Sequence, residues 1–382
     1  MNIVIATDSF KGSLSSVEAG NAISTGIKRV YKNADVEIRP LADGGEGTVE
    51  ALVQGMNGEL HTVEVSGPLC DKVKAAYGII PSSKTAIIEM SAAAGITMVT
   101  KEQRNPLVTT TYGVGQLIVD AINKGCRHFI VGIGGSATND GGVGMLQALG
   151  YNFLDINGKE VPFGGQGLEL IHTIKKDNVI KELAQCQFRV ACDVTNPLFG
   201  KLGSSHIFGP QKGATPEMVL KLDKDMEHYA NVAKETFVEA DPYYPGTGAA
   251  GGLGFAFKTF TNAELQSGIA IVLDETRLEE YIEKADIVIT GEGMMDGQTA
   301  MGKAPIGVAK LAKKHNKPVI AFAGGVTADA NENNNNGIDA FFPILRRIVT
   351  LEEAMQEDNA KNNMADTAEQ VFRLWKTKED IK

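Results

Sequence analysis

The residues able to do chemistry gather in glycine-rich stretches, and the densest is residues 128–150, HFIVGIGGSATNDGGVGMLQALG. Phe129-Ile130-Val131 reads as a buried parallel strand. Behind it come Gly132, Gly134, Gly135, Ser136, Thr138, Asn139, Asp140, Gly141, Gly142 and Gly144, and then Met145, Leu146 and Leu149 suggest a short helix. Strand, glycine loop and helix form the layout that brings backbone N–H groups and a positive helix end to an anion. Ser136, Thr138 and Asn139 add neutral donors, and Asp140 is placed to hold a metal. The stretch is not a P-loop, because GxxxxGK[ST] occurs nowhere in the chain. Residues 132–137 do satisfy GxGxxA, the dinucleotide fingerprint, but Thr138-Asn139-Asp140-Gly141-Gly142 follows where the helix should begin.

Three more acidic glycine loops recur, at residues 8–13, 43–48 and 292–299, and residues 193–196 add a carboxylate–amide pair, Asp193 and Asn196. Taken singly, Asp8 also suits a helix-entry cap and Asp43-Gly44-Gly45 a plain turn. Taken together, they suit phosphoryl transfer. That reaction needs N–H groups and a cation on phosphate, a carboxylate on Mg²⁺, and a carboxylate to accept a hydroxyl proton. Lys11 and Lys303 are the best cations, since both lie in glycine-rich loops. Asp193 is the best general base, delivered by the apolar run 188–192. Cys192 has no histidine near it in the sequence and reads as core; His61 and His206 read as surface or hydrogen-bonded residues.

The elements that must position these groups alternate in αβ style. Residues 2–7 and 35–40 read as strands, with a helix between them capped by Ser15 or Ser16 and carrying Val17, Ala22, Ile23, Ile27 and Val30 on one face. A second helix runs to about Gly55. Residues 59–66, 72–80 and 85–90 are β-rich, 109–124 is helical, and 151–156 is a strand with a turn at Asn157-Gly158. Thr215-Pro216-Glu217 opens a long helix. Residues 286–290, 318–323 and 339–343 read as strands, with a helix from Gly302 to about His315, and 331–336 as a solvated asparagine loop. The last helix is amphipathic through Ala368, Val371, Phe372 and Trp375. Loops at the carboxyl ends of parallel strands line a ligand crevice. The expectation is therefore an α/β protein of two α/β domains with mostly parallel sheets, one inserted into the other, and the active site in the cleft. A discontinuous Rossmann/flavodoxin-like domain takes 1–70 plus 283–382, and the inserted domain takes 71–282.

At 382 residues, two domains are expected. The net charge of −10 argues against a nucleic-acid or anionic-membrane partner, though not against a small anion held by local donors. No leader is visible, and no run of about 18 apolar residues occurs, so a cytoplasmic protein without membrane spans is expected. Cys70, Cys126, Cys186 and Cys192 are scattered without a CxxC pair and read as reduced core thiols; with six dispersed histidines they make no zinc signature.

At these residues the sequence resembles the bacterial glycerate kinase family. The matching segments are DSFKGS (8–13), LADGGEGT (41–48), RNPLVTTTYGVGQLI (104–118), GIGGSATNDGGVGMLQALG (132–150), CDVTNPLFG (192–200), FGPQKGA (208–214) and TGEGMMDGQTAMGKAPIGVA (290–309). Val114 and Met294-Met295 depart from the small or polar residues expected there. The resemblance implies phosphorylation of D-glycerate to 2-phosphoglycerate, favoured over the 3-phosphate, with ATP as donor and Mg²⁺. It also implies roles. Ser9 and Lys11 would take the carboxylate or the transferring phosphate, with Asp43 and Glu46 at the same cleft. Gly134, Gly135, Ser136, Thr138 and Asn139 would cradle phosphate, Asp140 and Asp296 would lie near the metal, and Asp193, beside Asn196, would take the hydroxyl proton. Glu292, Gln298, Thr299 and Lys303 would complete the far wall. Two rivals stand beside this: a dehydrogenase using GxGxxA, and a non-catalytic sensor on a kinase-like fold, which would be expected to lack the cleft carboxylates. Monomer and homodimer are both open.

Overall fold

The computed structural model describes residues 1–42, 45 and 47–380. It divides into two compact units, Met1–Asp43 with Gln54–Met56 and Ile269–Lys382, and Gly44–Val53 with Asn57–Gly268. These divisions fall at 43/44 and 268/269, not at the expected 70/71 and 282/283. The reason is register. The strands Glu59–Ser66 and Lys72–Ile80 pair antiparallel from Glu59↔Ile79 to Ser66↔Lys72, so a boundary between them would cut a full ladder. Residues 269–282 join the first unit, where Arg39 donates to the Thr276 carbonyl at 2.6 Å and stacks over the Tyr281 ring at 4.1 Å.

The first unit is a five-stranded parallel sheet in the order Ala340–Pro343, Val319–Val326, Ile287–Met295, Asn2–Ile5, Asp35–Ile38. Its three inner strands are largely apolar on both faces, as a sheet covered by helices requires. The helix Ser16–Val30 starts at a capping box: the Ser15 hydroxyl accepts from the Glu18 N–H, and the Glu18 carboxylate accepts from the Ser15 N–H. Its apolar face packs Ala19, Ile23 and Ile27 into a core with Ile3, Ile5, Ile287, Ile289, Phe322 and Phe372, the last from the helix Glu357–Asp380. The winding sense reverses at the centre of this sheet. The chain leaves Asn2–Ile5 through Ser16–Val30 towards one edge, and leaves Ile287–Met295 through Ala304–Lys314 towards the other. Outside the carboxyl ends of two such strands is where open α/β sheets bind ligands.

The second unit has a six-stranded sheet ordered Glu264–Gln266, Gln187–Ala191, His128–Gly132, Thr85–Glu89, Lys72–Ile80, Glu59–Ser66; its first four strands are parallel. Phe129 and Phe188 stack across the central pair at 4.7 Å. A small antiparallel pair, Asn152–Leu154 and Thr173–Lys175, stands apart. The α/β class and the mostly parallel sheets are thus as expected.

Three local readings are corrected. The asparagine tract lies in a 3₁₀ helix, Ala328–Asn336, and Asn333 is buried, donating to the Asp296 and Ala330 carbonyls. The helix expected from residue 109 begins later, as Tyr112–Asn123, because Thr109, Thr110 and Thr111 are buried and bonded elsewhere. Cys70 is exposed, so only Cys126 and Cys186 are buried thiols; all four cysteines are free. No helix among the described residues is long and apolar enough to cross a membrane.

Candidate active site

In the second unit the strand His128–Gly132 delivers residues 133–142, and much of that loop is tied down. The Gly135 carbonyl accepts from Ile96 N–H at 2.8 Å, Ala137 N–H donates to the Ala94 carbonyl at 2.9 Å, and the Thr109 hydroxyl donates to the Ala137 carbonyl at 2.9 Å. Gly135 and Gly142 take φ of +70° and +74°, which ordinary side chains resist. Gly134 and Gly135 are exposed and Ser136 barely so; the rest of the loop is buried. Backbone at 134–135 is therefore what the loop shows to a ligand.

The following helix, Val143–Ala148, is one and a half turns long, and its positive end is already filled. Asp140 is fully buried, and its carboxylate accepts from Thr111 N–H (2.8 Å), the Thr111 hydroxyl (2.9 Å), Gly142 N–H (3.1 Å) and Gly144 N–H (3.3 Å). Burial pushes its pKa up, and those donors oppose the shift. Asp140 is thus committed inside the fold, where its carboxyl group clamps the loop. The dinucleotide reading fails at the same place, because the helix does not start behind Ala137 and offers no vacant N-terminus. Asn139 is also committed: its amide donates to the Ser205 hydroxyl (2.9 Å) and accepts from the Ser204 hydroxyl (3.0 Å). It braces the loop from beneath.

The cation of this loop comes from a distant segment that neither composition nor spacing marks out. Lys212 is 2% exposed, and its ammonium donates to the Ser136 hydroxyl and the Thr138 carbonyl, each at 2.7 Å. Burial lowers its pKa to about 7, against the opposing pull of Asp140. The Thr138 hydroxyl is buried without a partner.

Register sets the neighbour of this loop. Gly132 pairs with Ala191, so the loop after Gln187–Ala191 opens on the same sheet edge. That loop carries Asp193, which is exposed, with Oδ1 accepting from Gly268 N–H at 3.1 Å. Asn196 is turned away from that role, donating to the Leu202 carbonyl at 2.8 Å.

In the first unit, residues 8–13 and 292–299 meet at the winding reversal, where Asp8 N–H donates to the Gly291 carbonyl at 2.8 Å. Asp8 and Glu292 are buried. The Thr299 hydroxyl donates to Glu292 Oε1 at 2.5 Å and accepts from Asp296 N–H at 3.1 Å, and Lys303 Nζ lies 3.4 Å from Asp296 Oδ1. Gln298 is exposed at the edge of this group. Asp8, Ser9, Lys11, Glu292 and Lys303 all line one cavity of about 430 Å³. Asp43 and Glu46 lie outside the described residues.

Burial pushes the Glu292 carboxyl up to about 7, and the charges of Asp8 and Asp296 push the same way, against Thr299 and Lys303. A carboxyl whose pKa is raised on folding binds its proton more tightly in the native state. Its contribution to stability therefore grows as pH falls from about 7 towards its ordinary value of 4.5. Glu292→Gln is expected to flatten this part of the Tm-against-pH curve; an unchanged slope would remove the buried carboxyl from the account.

The chain matches the model of the glycerate kinase family over residues 3–376. The chain belongs to the glycerate kinase family. It is 50% identical over 98% of both chains to the glycerate kinase of Haemophilus influenzae. It is 49% identical to the glycerate 2-kinase of Escherichia coli K12, over 96% of this chain and 98% of that one. The solved structure named glycerate kinase 2 from Salmonella typhimurium LT2 superposes with a TM-score of 0.93 at 48% identity, covering 100% of this chain and 99% of that one. The family segments quoted above thus divide between the two units: residues 8–13 and 290–309 build the carboxylate–lysine group of the first, and 132–150, 192–200 and 208–214 the glycine loop and its braces in the second. Lys212 sits inside FGPQKGA, so the motif pointed at the segment. Only tertiary burial shows which of its residues matters.

Proposed function

We propose that this kinase transfers the γ-phosphoryl group of ATP to the 2-hydroxyl of D-glycerate, giving 2-phosphoglycerate and ADP. The observation that carries the reading is the first unit's set of Asp8, Glu292, Asp296, Lys11 and Lys303 at a winding reversal, in a chain whose relatives are named glycerate kinases. Cations and carboxylates together suit a metal-bound polyphosphate; neither alone would.

Mg²⁺ fits this donor set. Among the described residues no group of three His, Cys, Asp or Glu forms a metal cage. A nucleotide-bound Mg²⁺ needs none, being held by one or two carboxylates and phosphate oxygens. Glu292, crowded by the charges of Asp8 and Asp296, gains from a cation nearby. Asp8 and Glu292 would hold the ion, with Asp296 as an outer partner. When bound, it neutralises charge developing on the phosphate oxygens.

The chain's own groups do the rest. Lys11 and Lys303 orient the phosphates. Exposed backbone at Gly134 and Gly135 faces an anionic group, and Lys212 adds positive field behind it. Asp193, its rotamer held by Gly268 N–H, accepts the proton of the 2-hydroxyl as that oxygen attacks phosphorus and the bond to ADP breaks. The free cysteines suit a reducing compartment and support a cytoplasmic reaction.

The test is an ADP-release assay with D-glycerate, ATP and Mg²⁺, with the product read by ³¹P NMR. A 2-phosphoglycerate resonance is expected. A 3-phosphoglycerate resonance would keep the kinase and overturn the assigned hydroxyl. No ADP release from folded protein would overturn the substrate.

A further inference from the structure

The cavity of the first unit has a second character that phosphate chemistry leaves unused. Besides its charged groups it is walled by Met294, Ile344, Leu345, Leu351, Ala354 and Met355. Sheet order separates the two kinds of lining. The charged groups follow Asn2–Ile5, lie on Ile287–Met295 or sit in the turn before Ala304–Lys314, whereas the apolar residues 344–355 follow the edge strand Ala340–Pro343; Met294 alone of the apolar set is on Ile287–Met295. Between them lie Gly324 and Gly325, near the end of Val319–Val326, so the floor there carries no side chain. A Cβ on Gly325 would come within 2.8 Å of Met294 Cε, and one on Gly12 within 2.8 Å of Met355 Cε. The two methionines thus border a slot with a bare backbone floor.

That wall is formed in advance. Arg347 pairs with Glu353 at 2.6 Å, the Thr350 hydroxyl caps Glu353 N–H at 3.2 Å, and the Asn359 amide donates to the Glu353 carbonyl at 2.9 Å. Yet Leu351 is 75% exposed and Met294 51%. A preformed apolar wall left in water beside charged groups is what a ligand site shows before its ligand arrives. Glycerate is a poor occupant, because every one of its carbons carries oxygen and it has no apolar face. A nucleoside polyphosphate has both ends: a flat ring with apolar faces, and phosphates for the lysines. Unbranched methionine adapts to such a ring and makes favourable sulfur–aromatic contacts.

We infer that the apolar end of this cavity, between the glycine floor at 324–325 and the wall at 344–355, is the seat of the nucleobase of the phosphoryl donor. The inference rests on the kinase reading above and gives the donor its place. It also gives a use to Met294, the residue that departs from the family pattern.

The test is binding, so it does not depend on turnover. Calorimetry in Mg²⁺ compares ADP with inorganic pyrophosphate, which lacks the nucleoside. Leu351→Asp puts a charge on an exposed position outside the core, and Ala354→Trp fills the slot. Wild-type protein is expected to prefer ADP over pyrophosphate by at least about tenfold. Both variants should lose about 10- to 50-fold in ADP affinity, the scale of one buried ring face, while pyrophosphate affinity stays within about twofold. Equal wild-type affinities, or a parallel loss of both ligands, would overturn the inference, as would normal ADP binding in both variants. If wild-type protein phosphorylates no D-glycerate, the acceptor reading fails separately, and the ADP-to-pyrophosphate ratio still decides the nucleobase seat.

Discussion

Asp193→Asn is expected to lower kcat roughly 10²- to 10⁴-fold while ATP affinity stays close to that of the wild type. The amide keeps the size of the carboxyl group and can still accept from Gly268 N–H, which lies 3.1 Å from Oδ1, so the loop keeps its shape. What it loses is the capacity to take a proton. Asp193 is exposed, stands two residues past the end of an interior strand, and shares its sheet edge with the glycine loop after His128–Gly132. An acceptor hydroxyl can reach it without any rearrangement of the core. Steady-state kinetics with both substrates varied is the measurement. The expected signature is a fall in kcat with little change in the KM for ATP. A variant that turns over at nearly the wild-type rate would take the base role from Asp193, and a large rise in KM with unchanged kcat would make it a binding residue.

Much of this was legible because the sheets are parallel. Buried parallel strands are short apolar runs, and glycines with polar residues mark where the chain turns at their carboxyl ends. Residues 8–13, 132–144, 193–196 and 292–299 are legible as loops at or near the carboxyl ends of parallel strands for that reason. What the sequence concealed is which polar groups face the ligand and which face each other. Asp140 and Asn139 have the composition of ligands, yet they are spent inside the fold, one neutralising a helix start and the other bracing Ser204 and Ser205. Donor and acceptor types are readable from a string of letters; the partner that satisfies them comes from distant segments. The unit boundary was concealed likewise. A change from alternating βα to a β-rich run looks like a crossing, but pairing between residues 59–66 and 72–80 binds both sides of it into one sheet.

Lys212 shows the same gap in its sharpest form, and its substitution should be the most damaging change away from the reacting atoms. A lysine between Gln211 and Gly213 looks like a solvated surface residue, yet here the ammonium bridges Ser136 and Thr138 from a position 2% exposed. Lys212→Met keeps most of the volume and removes the charge and both hydrogen bonds. The stranded Ser136 hydroxyl and Thr138 carbonyl would each cost about 1–3 kcal/mol if left buried without a partner. Loss of a positioned cation behind the loop proposed to face phosphate should lower kcat/KM on the order of 10²-fold. The pH dependence separates the two consequences. Burial depresses the lysine pKa from 10.5 to about 7. Between those values the unfolded chain holds the proton that the native state has shed, so this group favours folding increasingly as pH rises across that window. The stability gap between wild type and variant should therefore be smallest below about pH 7, where the native ammonium is charged and buried, and should widen towards about pH 10. Activity should run the other way. The wild type's advantage depends on the charged ammonium and is expected to shrink above neutrality, unless a bound anion holds the proton in place. Thermal unfolding of both proteins across this range, with kcat/KM measured at each pH, decides the matter. Equal stability at every pH together with wild-type turnover would reduce Lys212 to a bystander. A stability gap with no kinetic effect would leave it a brace for the loop and remove its charge from catalysis.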